Sequence, residues 1–220
     1  MSSGREALAG SLALYAVTDR HWLAGRTLAG CVEEALRGGA TFVQVREKDD
    51  GVLPHDAYLA EACELRVLCH AHGVPFVVDD DVGLALECGA DGVHVGQDDL
   101  SAGEARRRIG ADGILGVSAS TMAEALAAER AGADYLGVGA VFPTGSKADA
   151  TSVSLGELAA ICGAVDIPVV AIGGITRDNV KELAGTGIRG VAVISAIFAQ
   201  SDVEAATCDL RMQVRKALGI

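Results

Sequence analysis

Gly89-Ala90-Asp91-Gly92-Val93-His94-Val95 reads as the end of a helix passing directly into a strand. Glycine closes helices because it enters the left-handed conformation at no steric cost. The apolar run behind it has the short, β-branched character of a buried strand. The same joint returns along the chain. Gly39-Ala40 precedes Phe42-Val43-Gln44-Val45, Gly132-Ala133-Asp134 precedes Tyr135-Leu136-Gly137-Val138, and Gly187 precedes Gly190-Val191-Ala192-Val193. Working outward from these joints, strand candidates fall at Leu12–Thr18, Thr41–Arg46, Pro75–Asp79, Gly92–Val95, Ile114–Ser118, Tyr135–Val138, Pro168–Ile172 and Gly190–Ile194. Helical candidates lie between them at Thr27–Arg37, His55–His72, Val82–Cys88, Met122–Ala131, Leu155–Cys162 and Asn179–Ala184, with a last helix over Val203–Leu218. Such alternation favours right-handed βαβ units, and eight of them close a barrel. The expected fold is α/β, a single-domain (β/α)8 TIM barrel spanning residues 1–220, with 1–10 as a flexible N-terminal segment. An open, doubly wound sheet is the runner-up.

Composition narrows the function. Half of the 220 residues are hydrophobic but only 4% are aromatic, so the core must be aliphatic, as in parallel strands buried between helices. The formal net charge of -12 and the lack of a basic tract argue against nucleic acid or anionic membrane as a partner. Phosphate must then be held by local groups against an unfavourable overall field. Cys31, Cys63, Cys69, Cys88, Cys162 and Cys208 form no Cys-x-x-Cys pair and read as reduced structural thiols. Met1 to Gly10 lacks the basic and apolar regions of a signal peptide, and no apolar run approaches a membrane span, so a cytoplasmic protein is expected.

Polar residues gather just after the predicted strands, which in a barrel converge on one mouth. After the second strand, alternation puts Gln44 and Arg46 on one face, and Lys48 continues that direction in an extended chain. Arginine offers a fork to phosphate oxygens and lysine a compact charge. The bland reading is a solvated loop or an Arg46–Glu47 surface pair. Asp79-Asp80-Asp81 and Gln97-Asp98-Asp99 follow the third and fourth strands. Two such clusters can hold one Mg²⁺ while leaving room for water and phosphate oxygens. Helix capping would account for one Asp per loop, but not for three acids in a row.

Ser118 after the fifth strand is a ligand candidate, with Ser120 or Thr121 capping the next helix beside Glu124. The long loop from Gly139 to Ser154 carries Thr144-Gly145-Ser146-Lys147, which offers hydroxyls and a charge without P-loop spacing. Gly173-Gly174 after strand seven and Ile194-Ser195 after strand eight occupy the place where barrels commonly hold phosphate. His94 reads either as a hydrogen-bonded core histidine or as a base, the first being the commoner case.

Together these stretches resemble the thiamine-phosphate synthase family: LYAVTD (Leu14–Asp19), VQVREK (Val43–Lys48), VDDDVGLAL (Val78–Leu86), GADGVHVGQDDL (Gly89–Leu100), GVSAST (Gly116–Thr121), GADYLGVGAVFPTGSK (Gly132–Lys147), VVAIGGIT (Val169–Thr176) and VAVISAI (Val191–Ile197). They run in family order over nearly the whole chain. The resemblance implies an enzyme that joins 4-amino-2-methyl-5-hydroxymethylpyrimidine diphosphate to 4-methyl-5-(2-hydroxyethyl)thiazole phosphate, giving thiamine phosphate and pyrophosphate. It implies a dissociative substitution assisted by one Mg²⁺ per subunit. Carried over position by position, it implies diphosphate contacts from Gln44, Arg46, Lys48, Asp79, Ser118 and Lys147. Of these, Arg46, Lys48, Ser118 and Lys147 form the catalytic set. Metal carboxylates at Asp80 and Asp99, and thiazole-phosphate contacts from Thr144, Ser146, Gly174, Ile194 and Ser195, are implied likewise. No nucleic acid or membrane partner is implied, and a homo-oligomer is left open.

Three positions depart from the family pattern. Asp79 stands where the family often has Asn, an acid facing phosphate that needs a compensating metal or Lys. Ser146 replaces Thr in Thr-x-Thr-Lys, keeping the hydroxyl. Ser120 replaces the His of Ser-Ala-His-Thr. The competing functions are a thiazole tautomerase-like relative, a non-catalytic phosphate-binding barrel, and a sugar-phosphate isomerase or epimerase. The first needs neither the Gln-x-Arg-x-Lys run nor the paired acids, and the last is favoured by fold alone.

Overall fold

The computed structural model describes residues 3–47, 53–144 and 152–220. Lys48, Ser146 and Lys147 lie outside the described residues. Eight parallel strands close into a barrel in sequence order, with β1 pairing β8 to complete the circle. They are β1 Leu14–Val17, β2 Phe42–Val45, β3 Phe76–Asp79, β4 Gly92–Val95, β5 Ile114–Ala119, β6 Tyr135–Val138, β7 Val169–Ile172 and β8 Gly190–Val193. The expected barrel is the observed one, and no open sheet edge remains for a doubly wound alternative.

Around it run α1 Ser3–Ser11, α2 Leu28–Arg37, α3 His55–Ala71, α4 Val82–Cys88, α5 Ala102–Ile109, α6 Met122–Arg130, α7 Leu155–Ala164, α8 Ser195–Phe198 and α9 Val203–Leu218. Glycine closes α4 as the opening motif requires, with Gly89 left-handed at φ 68°. Three helical features differ from expectation. Within the N-terminal segment expected to be flexible, the described residues from Ser3 onward form α1, whose Leu8 packs against the barrel interior. Helix α5 was hidden by its composition: in AGEARRRI only Ala105 is buried, so little apolar periodicity shows. It is fixed instead by a Ser101 cap and by Arg106, which donates to the carbonyls of Gly110, Gly113 and Gly132 and pairs with Asp134. The Asn179–Ala184 candidate tightens to a 3-10 turn over Val180–Leu183.

Strand periodicity divides the core in two. Residues facing outward, such as Leu14, Ala16, Val43, Val78, Val93, Leu115, Leu136 and Val191, pack against the helices in one large aliphatic cluster. The alternate residues point inward and form a second cluster of Leu12, Tyr15, Val17, Phe42, Val77, Tyr135, Val170 and Ala192. The chain is poor in aromatics, yet three of its rings meet here. Tyr15 lies edge-on to Phe42 at 4.6 Å, and both contact Tyr135, at 5.9 and 5.6 Å. This packing fills the floor beneath the mouth. No helix among the described residues is long and apolar enough to cross a membrane. The cysteines described are all free thiols, and Cys31, Cys69 and Cys88 are buried.

Candidate active site

A cavity of about 460 Å³ opens at the C-terminal ends of the strands. That is the size range of small-molecule sites. Its walls include Gln44, Arg46, Asp79, Asp80, Asp99, Ser118, Thr144, Gly174, Ile194 and Ser195. Every described residue singled out from the sequence as a substrate or metal contact therefore meets at one place.

Period-two alternation carries Gln44 and Arg46 to the cavity from β2. Gln44 is buried and its amide donates to the Tyr15 hydroxyl at 2.6 Å. The Arg46 backbone N–H donates to Thr18 Oγ1, and its guanidinium lies between two carboxylates, 3.3 Å from Asp19 and 3.6 Å from Asp79. The compensating charge for Asp79 thus includes Arg46, which the sequence reading had not paired with it. Asp19 was missed as well: it stood inside a matching motif, but nothing in β1 alone shows that its side chain reaches β2. The Arg46–Glu47 pair does not form. Glu47, with a side chain 3% exposed, turns away to Arg20 at 2.8 Å, and Arg20 continues to Glu61 at 2.5 Å. Burial raises the Glu61 carboxyl above its ordinary range, an effect that Arg20 opposes.

The acidic loops divide their work. Asp81 caps α4, its carboxylate accepting from Leu84 N–H, which leaves Asp79 and Asp80 to the mouth. Asp80 is held at φ 59°, a left-handed conformation uncommon outside glycine, and its N–H donates to the His94 carbonyl at 2.8 Å. Asp99 does not cap α5, since Ser101 does; its carboxylate accepts from Gly96 N–H at 2.8 Å. Asp79 ends the inward row of β3 two residues after Val77, as its expected place on the substrate side requires, and Asp98 also lines the cavity beside Asp99. Among the described residues no group of three or more His, Cys, Asp or Glu could hold a metal ion. An ion here would depend on water or ligand oxygens, which is how Mg²⁺ is commonly held.

Ser118 ends the inward row of β5, and its hydroxyl lies 2.9 Å from His94 Nε2. Thr121, not Ser120, caps α6 in a full capping box with Glu124. Gln97, not anticipated as a contact, donates to the Ser118 carbonyl at 2.6 Å. His94 is the hydrogen-bonded buried histidine that was the commoner expectation, although it also borders the cavity.

Across the cavity, Gly173 and Gly174 follow β7 with φ of 96° and 65°. A Cβ on Gly174 would overlap the Pro143 carbonyl and lie 2.7 Å from that of Phe142. Glycine is required there for backbone clearance as well as for conformation. Ile194 and Ser195 open α8, a single turn of four residues, so hydroxyl and backbone N–H groups matter more there than any helix dipole.

Comparison with known proteins agrees with this geometry. A family model described as thiamine monophosphate synthase matches residues 14–197. Thiamine-phosphate synthase of Clostridium tetani is 49% identical over 197 residues, covering 90% of this chain and 93% of its own. The Clostridium botulinum protein of the same name is 44% identical over 203 residues, covering 92% and 94%. The solved thiamine phosphate pyrophosphorylase of Pyrococcus furiosus superposes with a TM-score of 0.88 at 43% identity, covering 96% of this chain and all of the other. With the same barrel, the same motifs in order and identity far above what shared fold alone requires, the chain belongs to the thiamine monophosphate synthase family.

Proposed function

We propose that the barrel mouth joins hydroxymethylpyrimidine diphosphate to thiazole phosphate, releasing thiamine phosphate and pyrophosphate. The observation that supports this reading is one cavity with two chemically different polar sides. One side combines Arg46 with the carboxylates Asp79, Asp80 and Asp99, a mixture suited to a diphosphate accompanied by a cation. The other combines Gly173, Gly174, Ser195 and Thr144, a neutral donor set suited to a phosphate monoester. Two phosphorylated substrates placed end to end would meet over the ring-filled floor.

Gln44, Arg46, Asp79 and Ser118, with Lys48 and Lys147 from outside the described residues, bind the diphosphate in this reading. Ser195, Gly174, Ile194 and Thr144, with Ser146, bind the thiazole phosphate. Asp80 and Asp99 would hold one Mg²⁺, which would supply positive charge to offset that of the pyrophosphate leaving group. The electron-rich aminopyrimidine stabilises positive charge at its methylene as the C–O bond breaks, and the thiazole nitrogen attacks that carbon. The protein's part is to position both rings and to stabilise the leaving group; it supplies no nucleophile.

The test is to incubate the chain with both substrates and Mg²⁺ and to measure both products. Thiamine phosphate and pyrophosphate in equal amounts support the proposal. Binding of both substrates without turnover would replace it with a phosphate-binding barrel.

A further inference from the structure

The barrel floor holds a continuous row of polar groups. Gln44 Nε2 lies 2.6 Å from Tyr15 Oη, which lies 2.9 Å from Tyr135 Oη; Tyr135 Oη lies 3.0 Å from His94 Nδ1, and His94 Nε2 lies 2.9 Å from Ser118 Oγ. Five residues from five strands are linked. Gln44 and Ser118 stand at the two ends, and both border the cavity.

Counting protons gives this row a direction. The Gln44 amide nitrogen can only donate, so Tyr15 Oη accepts. Each phenol has one proton, and burial raises both above the ordinary tyrosine value, so each keeps it. If Tyr135 donated back to Tyr15, the Tyr15 proton would have no acceptor within the row. Buried donors are rarely left in that condition. Tyr15 therefore donates to Tyr135, and Tyr135 donates to His94 Nδ1. The imidazole proton then sits on Nε2 and is given to Ser118 Oγ. Ser118 has already accepted, and its own proton remains to be directed elsewhere.

We propose that His94 is a positioning residue: its Nε2–H engages Ser118 Oγ, which turns the Ser118 hydroxyl proton into the cavity as a donor to the diphosphate. This rests on the reading that Ser118 contacts that substrate. A second observation shows the row is accommodated by design of the strands. Gly116 and Gly137 interrupt β5 and β6, where glycine weakens a strand. A Cβ on Gly116 would overlap the Tyr135 hydroxyl and His94 Nδ1, and one on Gly137 would lie 3.2 Å from His94 Cε1. Both glycines make room for the rings that carry the direction.

The reverse wiring is chemically complete if the Gln44 amide is turned over. Tyr15 would then donate to its oxygen, each link would reverse, and Ser118 would spend its proton on His94 and face the anion with lone pairs alone. The two wirings predict opposite outcomes. In the proposed one, ¹⁵N NMR of the wild-type protein finds the proton of His94 on Nε2; a proton on Nδ1 overturns the proposal. In kinetics, His94→Ala and Tyr135→Phe each raise KM for the pyrimidine diphosphate roughly tenfold and leave KM for thiazole phosphate unchanged. His94→Gln, whose amide can reach Ser118 from the Nε2 position, restores most of the loss. In a Ser118→Ala background, His94→Ala has no further effect. Losses that multiply, or equal shifts in both KM values, overturn the proposal, since a merely structural histidine would behave that way. If Ser118→Ala alone leaves KM for the diphosphate unchanged, it is the contact assigned to Ser118 that fails. Should His94→Ala not fold, Tyr135→Phe and the spectrum still decide.

Discussion

Arg46 and Asp79, neighbours across β2 and β3, form a 3.6 Å ion pair at the lip of the cavity. Both are only slightly exposed, so the pair holds a cation ready while partly neutralising it. Asp79→Asn removes an acid from the cavity wall and releases Arg46 from one of its two carboxylate partners. KM for the pyrimidine diphosphate should fall by roughly threefold to tenfold, with little change in melting temperature. Steady-state kinetics at fixed Mg²⁺ check this; a rise in KM would give Asp79 an attractive role through the metal.

Arg46→Ala should have the opposite sign. A charge-assisted contact contributes about 1.5–3 kcal/mol, so kcat/KM for the diphosphate should drop at least about tenfold. The fold should persist, because Arg46 belongs to the mouth and not to either apolar cluster. Wild-type kinetics would reject its assignment.

Ser195→Ala tests the other side of the cavity. KM for thiazole phosphate should rise several-fold, and KM for the diphosphate should stay. Gly174→Ala should do more damage for a different reason. Its left-handed φ is strained for alanine, and the new methyl would collide with backbone at Phe142 and Pro143. A lowered melting temperature is expected alongside lost activity, on the order of 1–3 kcal/mol of stability. Unchanged stability would mean that the loop yields at little cost.

Much of this was legible in the sequence, for a physical reason. Eight short β-branched runs leave few alternatives, and period-two alternation alone puts Gln44 and Arg46 on one wall. What escaped reading involved partners distant along the chain. Asp19 reaches Arg46, and Glu47 pairs instead with Arg20, which also reaches Glu61 of α3. The Tyr15–Tyr135 hydrogen bond spans 120 positions. A signal for it existed: only three tyrosines occur, and two of them lie in strand candidates. Helix α5 escaped for the reverse reason, since arginine contacts rather than an apolar face hold it.

The metal prediction uses Asp80 and Asp99. Mg²⁺ binding should be weak alone and stronger with pyrophosphate, because each ligand offsets the charge of the other. Titration with and without pyrophosphate should show this linkage in the wild type and its loss in Asp80→Ala and Asp99→Ala. Turnover without any divalent ion would sink the metal-assisted mechanism. Unchanged metal dependence in both variants would move the site to other acids.

The thiols offer an independent check on the fold. Burial pushes Cys69 up to about 12 and Cys162 up to about 11, whereas Cys208 is exposed. At pH 8 the thiolate fraction of Cys69 is then only about one in 10⁴. An alkylating reagent under native conditions should modify Cys208 first and Cys69 only after unfolding, as peptide mapping would reveal. Early labelling of Cys69 would contradict the packing of α3 against the barrel.

The lining of the cavity is unevenly divided around its circumference. From β2 to β5 the inward groups at the mouth are Gln44, Asp79, His94 and Ser118; from β6 to β8 they are Gly137, Val170, Ile172, Ala192 and Ile194. One hemisphere is wettable and the other is oily. A flat heterocycle with nitrogens along one edge and hydrocarbon along the other finds a single rotation in which neither edge is mismatched, since an unpaired polar group against the oily side is costly. The barrel mouth acts as a compass for such a ring, fixing its heading by the placement of polar and apolar walls.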